Sequence, residues 1–444
     1  MKNFFSFRFL PLLFLFTPKA LAQQTEAPKV VLLSLKEAIE IGKSNNAAVQ
    51  IASIARLVAD EDVKDSKNMA MPNVNTNGTY QRFSKLTLFE DGLGGAKSVN
   101  RQPSPNGVLL GMDLSFNIYS GGHTKAIIKE QKIKRIISEI NLEDRQGNAA
   151  LLVCELYMAL VEQYSLRKLT DDQIERAETR LKTINTLYKN QRVTKSDVLR
   201  AELMLSNILL ARQENVNNIT ILNNKLNIAL NLNEKSYISP TDSANMIKPD
   251  LIDVNKIAYN GETNSYQLKL AKADIETQIA KKEEVHSAYM PVLSFISAYN
   301  FTYPNYLFFP PVDQLYSIGY IGLKVSYNLS SIYQNKHKVA AAILRMSESQ
   351  LRMKSVSDNT REYIQSLVIR YGHSLHKIDV IDKSIEQARA NYKIVSTKYQ
   401  NQLALLTDLL DADNLYQEAR FNLVHAQIEA TIIYYNILYS TGKI

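Results

Sequence analysis

The sequence has 444 residues, 45% of them hydrophobic, and a formal net charge of +8, enough chain for two or three ordinary domains. Only 15 Gly and 12 Pro interrupt it, which favours long unbroken helices, and so small and dispersed a charge argues against nucleic acid as a partner. A single cysteine, Cys154, excludes an internal disulfide and reads as a buried helix residue.

Lys2 and Arg8 lead into an apolar run from Phe9 to Phe16, and Ala20-Leu21-Ala22 before Gln23 is a small-residue cleavage site. Residues 1–22 therefore read as a secretory signal peptide, and the exported remainder carries a charge of about +5. No later run of about 18 apolar residues suggests a membrane-spanning helix, so the exported chain is expected to be either water-soluble or built on a β-barrel.

A helical pattern starts at Leu35, with Ser34 and Glu37 spaced as a capping box, and runs to about Asn68, where Met71-Pro72 ends it. Strands are expected over about 73–83 and 108–119. In the second, Leu110, Met112, Leu114, Phe116 and Ile118 alternate with Gly111, Asp113, Ser115 and Asn117. The glycine- and proline-rich stretch 91–107 between them reads as a mobile loop. Helix follows from Thr124 to Tyr188, about 65 residues and about 100 Å long, then a tip over about 189–196 and a return helix from Asp197 to about Asn231. The return helix is short, and helix 35–68 is expected to continue its line.

Residues 233–260, with Pro240 and Pro249, read as a connector lying outside the helical wall. The plan then repeats over 261–444, as it was laid down over 23–232. Helix runs from about Gly261 to Ala288 and ends at Met290-Pro291. Strands are expected over 292–303 and 316–329, with a loop at Pro304, Pro310 and Pro311 between them. Helix 335–399, a tip over about 400–407 and helix 408–439 complete the chain. The tips match residue for residue: Tyr188 with Tyr399, Asn190 with Asn401, Gln191 with Gln402, Asp197 with Asp408, Leu199 with Leu410 and Ala201 with Ala412, all at an offset of 211. In the last helix Leu409, Ala412, Tyr416, Ala419, Leu423, Ala426, Ala430, Ile433 and Ile437 keep a 3-4 spacing, a seam of mostly small residues. The first-half equivalents are apolar except at Arg212 and Asn215.

Segments of about ten residues that alternate apolar and polar positions, flanked by Tyr and Phe, are a transmembrane β-strand signature, although an ordinary half-buried hairpin has the same period. Four strands cannot close a barrel, and an open edge in lipid leaves backbone groups unsatisfied. A barrel would have to be shared between chains, with eight strands from two copies or twelve from three. The fold class expected is an α+β membrane protein, long α-helical hairpins joined to four transmembrane strands per chain that complete a shared β-barrel.

This doubled order, over essentially the whole mature chain, resembles the TolC-like outer-membrane efflux protein family. The resemblance implies a homotrimer in the outer membrane, with a twelve-stranded barrel in lipid and a helical tunnel in the periplasm. Its tips would meet a periplasmic adaptor protein and an inner-membrane transporter, as the exit duct of a tripartite efflux pump or a type I secretion system. It also implies a gate at the periplasmic end, with Tyr399, Asp408, Asp411 and Asp197 as the aperture residues and Asn190, Gln191, Arg192, Asn401, Gln402 and Leu403 as the adaptor-contacting tips. Ala404 stands where relatives carry a tip arginine, with Arg192 or Lys195 as the substitutes to consider. Gln191 and Gln402 replace the usual tip glycine, with Asn190 and Asn401 expected to take the left-handed conformation. Gly442 fits the family's terminal glycine, and Asn231 takes its place in the first half.

Beside the gate reading, Asp197 and Asp408 read equally as helix caps, which leaves Asp411 as the discriminating residue. His373 and His376 lie one turn apart without a third ligand and read as a packed or solvated pair, and Tyr434, Tyr435 and Tyr439 as interhelix packing. No phosphate loop, zinc-protease helix or nucleophile elbow is present in the sequence, so neither catalysis nor a cofactor is expected. The alternative to a duct is a periplasmic coiled-coil scaffold without a pore.

Overall fold

The computed structural model describes residues 30–444 except 86, 90–91, 99–103, 234–235, 245–248, 262, 306 and 308–311. The signal-peptide reading of residues 1–22 and the loop positions Pro103, Pro310 and Pro311 lie outside the described residues. Seventeen elements are described, and they sort into a sheet at one end, a helical wall, and a girdle packed around the wall's middle.

The sheet has four antiparallel strands in the order β2 (Asn73–Arg82), β5 (Asn106–Tyr119), β7 (Val292–Tyr303), β8 (Tyr316–Ser326). β8 ends at Ser326, three residues before the expected limit, and Tyr327 and Asn328 lead instead into the short helix α7 (Ser331–Gln334). Register puts Thr76, Met112, Tyr299 and Gly319 in one row, and Asn75, Asp113, Ala298 and Tyr320 in the next. Because side chains alternate along a strand, most apolar positions of neighbouring strands fall on one face, and Asn73, Asn75, Asn77, Asn117, Asn300, Asp113 and Lys324 on the other. On that polar face Asn75 donates to Asp113 at 3.2 Å and Ser294 to Asn117 at 2.7 Å. Part of the loop expected over 91–107 is ordered: β4 (Ala96–Ser98) within it pairs with β3 (Thr87–Phe89), just before it, as a small hairpin.

The wall is built on two hairpins, α3 (His123–Lys189) with α4 (Lys195–Leu230), and α8 (Lys336–Gln400) with α9 (Leu406–Ser440). The small-residue seam is buried where it was expected, at Leu409, Ala412, Ala426, Ala430 and Ile437 and at Val198, Ala201, Ile208, Ile219 and Leu226. Its two polar interruptions bond across the hairpin through their N–H groups, while Asn215 Oδ1 stays buried without a partner. Asn215 donates to the Gln163 carbonyl at 2.9 Å, and Arg212 Nε donates to Asp171 at 2.7 Å.

Each short return helix is prolonged by another helix abutting its end. The helix expected over 35–68 is in fact two, α1 (Leu35–Asn45) and α2 (Ala47–Asn68), broken at Asn46. Asn46 Oδ1 accepts the Ala48 N–H at 2.9 Å, while its Nδ2 donates to Ala229 O at 2.9 Å, an end carbonyl of α4. One side chain thus caps the start of α2 and the end of α4 and sets the two in line. In the second half α6 (Tyr266–Ser287) abuts the end of α9, with Tyr266 donating to Ile444 O at 2.8 Å and its ring 5.9 Å from that of Tyr439. Gly442 allows the approach, since its φ is +66° and a Cβ there would meet Asn264 O at 2.5 Å.

The connector 233–260 is ordered over most of its described length and packs on the wall as part of the girdle. Its strand β6 (Tyr237–Pro240) pairs in parallel with β1 (Val30–Leu33), a strand absent from the sequence reading, and α5 (Leu251–Gly261) packs on α8 and α9. Gly261 closes α5 and does not open the next helix. The largest apolar core lies here: Leu35 and Ile39 of α1, Val153, Cys154, Tyr157 and Met158 of α3, Leu226 and Leu230 of α4, and Ile238 of β6. The Tyr157 hydroxyl lies 2.8 Å from both Leu33 O and the Asp242 carboxylate, which share its one proton, and Asp242 accepts the first N–H of α1, from Leu35, at 2.6 Å. Contrary to expectation, α3 carries one 18-residue window apolar enough by composition to cross a membrane; 44% of it is buried inside the chain, and α3 gives this core Ala150, Val153, Cys154, Tyr157, Met158, Leu160 and Val161.

Asn46→Ala removes both splice bonds and should lower stability by about 1–2 kcal/mol. Thermal unfolding should register the loss, with faster amide exchange at Ala48 and Val49 as its local signature.

Candidate functional site at the hairpin tips

The two tips reverse by the same device. Asn190 and Asn401 keep right-handed backbones, with φ of −86° and −88°, and Gln191 and Gln402 take the left-handed conformation, with φ of 58° and 62°. The expected left-handed positions are therefore shifted by one residue. Arg192 N–H reaches Leu187 O at 2.9 Å and Leu403 N–H reaches Lys398 O at 2.8 Å, the six-residue closure of a Schellman motif with the left-handed residue just before it. In the second tip Asn401 also donates its side chain to Thr397 O at 2.9 Å. Asn231 and Gly442, with φ of 52° and 66°, end the return helices in the same way.

Asp197 and Asp408 sit at the third helical position and not at the cap itself. Asp197 accepts Thr194 N–H at 2.9 Å and Thr194 Oγ1 at 2.8 Å, and Thr194 Oγ1 in turn accepts Asp197 N–H at 3.2 Å, a complete capping box. Asp408 accepts Leu405 N–H at 3.0 Å, but leucine has no oxygen to return the bond, so the second helix start is held by half a box. Asp411 is exposed one turn further on and takes no part in capping.

Tyr399 is wedged into an apolar cluster drawn from both hairpins: Ile184 of α3, Val198 and Ala201 of α4, and Leu406 and Leu410 of α9. Its hydroxyl is buried without a hydrogen-bond partner. Burial pushes the phenol above its usual range, the Asp197 carboxylate adds to the rise, and Arg180 opposes it. The aperture set of Tyr399, Asp197, Asp408 and Asp411 is thus divided, with the tyrosine inside the tip core and Asp408 and Asp411 on the exposed side of α9. Neither substitute for the tip arginine reaches them within the chain. Lys195 lies over the Tyr188 ring at 5.8 Å, and Arg192 is exposed with no ion pair among the described residues. Asn190, Gln191, Arg192, Asn401, Gln402 and Leu403 are all exposed, Leu403 at 76%.

Sequence reasoning missed the charges that lock one hairpin to the other. Asp413, fully buried, accepts from Arg180 at 2.7 Å and from Arg176 at 3.3 Å, both on α3. Arg420 of α9 reaches back to Asp172 at 3.2 Å and lies over the Tyr416 ring. Charged residues on a helix this polar read as a solvated face. The one signal available was that Asp413 lies one residue past Ala412, on the buried side of the seam.

No protein-family model matches the sequence, and no curated protein matches it. Solved structures do match in fold. The outer membrane protein VceC of Vibrio cholerae is 12% identical with a TM-score of 0.76, covering 92% of this chain and 96% of its own. The CmeC outer membrane channel of Campylobacter jejuni is 16% identical with a TM-score of 0.75, covering 92% and 85%. The chain has the fold of TolC-like outer-membrane channels. The MtrE outer membrane channel of Neisseria gonorrhoeae, solved in its open state, matches at 13% identity and a TM-score of 0.72, covering 92% and 88%. At these identities the TolC-like likeness is one of architecture, and the roles of the tip residues rest on their geometry here.

Gln191→Gly and Gln402→Gly should each stabilise by about 1 kcal/mol, since glycine adopts the left-handed backbone without steric cost; thermal unfolding checks it. Asp413→Ala, which leaves two arginines facing a buried gap, should destabilise by about 3 kcal/mol, whereas Asp411→Ala should stay within about 0.5 kcal/mol in the same assay.

Proposed function

We propose that the chain is one subunit of an outer-membrane exit duct, a homotrimer that passively conducts substrate from the periplasm to the exterior. The observation that carries this reading is the uncovered sheet. No layer of the described chain packs on either face, and Val74, Met112, Tyr299, Ile321, Leu323 and Val325 are at least half exposed on the apolar one. A half-buried hairpin of a water-soluble protein would cover that face. Lipid can cover it instead, but lipid offers nothing to the edge groups of β2 and β8. Three copies would seal those edges in a twelve-stranded barrel, with the face carrying Asp113 and Lys324 toward a wet lumen.

The same copies would cover the apolar residues that the wall leaves exposed, among them Ile51 and Ile54 of α2 and Leu199, Leu203, Leu210 and Ile228 of α4. The exposed tips would meet a periplasmic adaptor and an inner-membrane transporter, in a tripartite efflux pump or a type I secretion system, and the partner supplies the energy. Asp408 and Asp411, on the open side of α9, would place six carboxylates around the threefold axis, a ring that favours cations and resists anions. Opening is a movement of the second hairpin that draws Tyr399 out of the tip core. A coiled-coil scaffold would share the hairpins but has no use for an apolar sheet face.

Membrane fractions washed in high salt should retain the protein, and detergent should release it. In planar bilayers Asp411→Ala should raise the leak conductance and lower cation selectivity; unchanged current with unchanged selectivity would remove Asp411 from the gate.

A further inference from the structure

Just behind the tips, α3, α8 and α9 enclose a cleft of about 700 Å³ between the hairpins, lined among others by Arg176, Arg180, Tyr392, Ser396, Tyr399 and Arg420. Three polar atoms of these lining residues are buried and have no partner: Arg176 Nη2, Arg180 Nη1 and the Tyr399 hydroxyl. The Arg180 side chain is only 7% exposed, the Asp413 carboxylate beneath it not at all and Arg176 25%, so two guanidinium groups share one buried carboxylate and the triad carries a charge of +1. Arginine cannot relieve this by losing its proton. Arg420 is spoken for by Asp172 and Gln417.

We propose that this cleft binds an oxyanion, a carboxylate or a phosphate group, held by the free N–H groups of Arg176 and Arg180 on one hairpin and by the Tyr399 hydroxyl on the other. Arg176 is held by Asp413 through Nε and by the Asp172 carbonyl through Nη1 at 3.1 Å, and Arg180 by Asp413 through Nη2, which leaves one buried unpartnered nitrogen on each, two charged N–H donors that suit an oxyanion better than a halide. Burial keeps the Tyr399 proton in place as a third donor. Two carboxylates, Asp172 and Glu175, also line the cleft; Asp172 is neutralised by its pair with Arg420, and Glu175 is exposed, where solvent and salt screen its repulsion. An occupant would tie α3 to α8 at the level of the tip core. The proposal concerns binding alone and does not rest on the duct.

The test is calorimetric titration of the full chain in detergent with inorganic phosphate and, separately, with acetate, against chloride at matched ionic strength. One saturable site per chain is expected for at least one probe. Tighter phosphate identifies a free phosphate site, and tighter acetate a site for an acidic side chain. Arg176→Gln, which leaves the 2.7 Å Arg180–Asp413 pair intact, should weaken binding about tenfold, and Tyr399→Phe about threefold. Should Arg176→Gln not fold, Tyr399→Phe carries the comparison. No saturable binding above chloride, or an affinity unchanged in the folded variants, would mean that the cleft holds only water and would overturn the proposal.

Discussion

β2 and β8 each present a row of backbone N–H and C=O groups with no strand beside them among the described residues, at the margins of a sheet whose broad apolar face is also bare. In water such a sheet would aggregate, and in lipid its edges would each forfeit several hydrogen bonds. In the duct proposed above, pairing edge to edge with further copies would satisfy both conditions at once, and the helical wall would be open on the sides where those neighbours fit. Its own hairpins therefore bury only a narrow seam and leave apolar residues on outer faces that a self-contained bundle would have filled.

Length is the second demand on the wall, and the chain meets it by splicing helices. Asn46 sets α2 on the end of α4, and the close approach at Gly442 sets α6 on the end of α9. Two return paths thus match α3 and α8 without a single return helix being as long. The girdle of β1, β6 and α5 packs where these joints lie, and the Tyr157–Asp242 knot buried there fixes the entry to α1. The joints are the weak points of the wall, so it is physically reasonable that the deepest core surrounds them.

At the tips, apolar and ionic contacts act on the same pair of hairpins. The cluster around Tyr399 holds them together over the last turns, and the arginines around Asp413 hold them further back. Asp408 and Asp411, free of both, remain available on the open side. The second tip is the less firmly started of the two, since Leu405 cannot return the bond that Thr194 makes in the first. That asymmetry lies in the hairpin whose movement the proposed opening requires.

The helices, the four main strands, the tandem repeat and the seam were legible in the sequence because each is periodic over many residues and periodicity survives without tertiary context. Short or non-local features were not. β1 pairs only with the distant β6, the break at Asn46 is met by the Ala229 carbonyl of another helix, and both tips place the left-handed residue one position after the asparagine. Asp411 and Asp413 look alike in sequence, two acidic residues in the same turn. Only the packing of α9 against α3 decided that one faces open space and the other a pair of buried arginines, since a helix turns about 200° between them and a charge takes its meaning from what it meets.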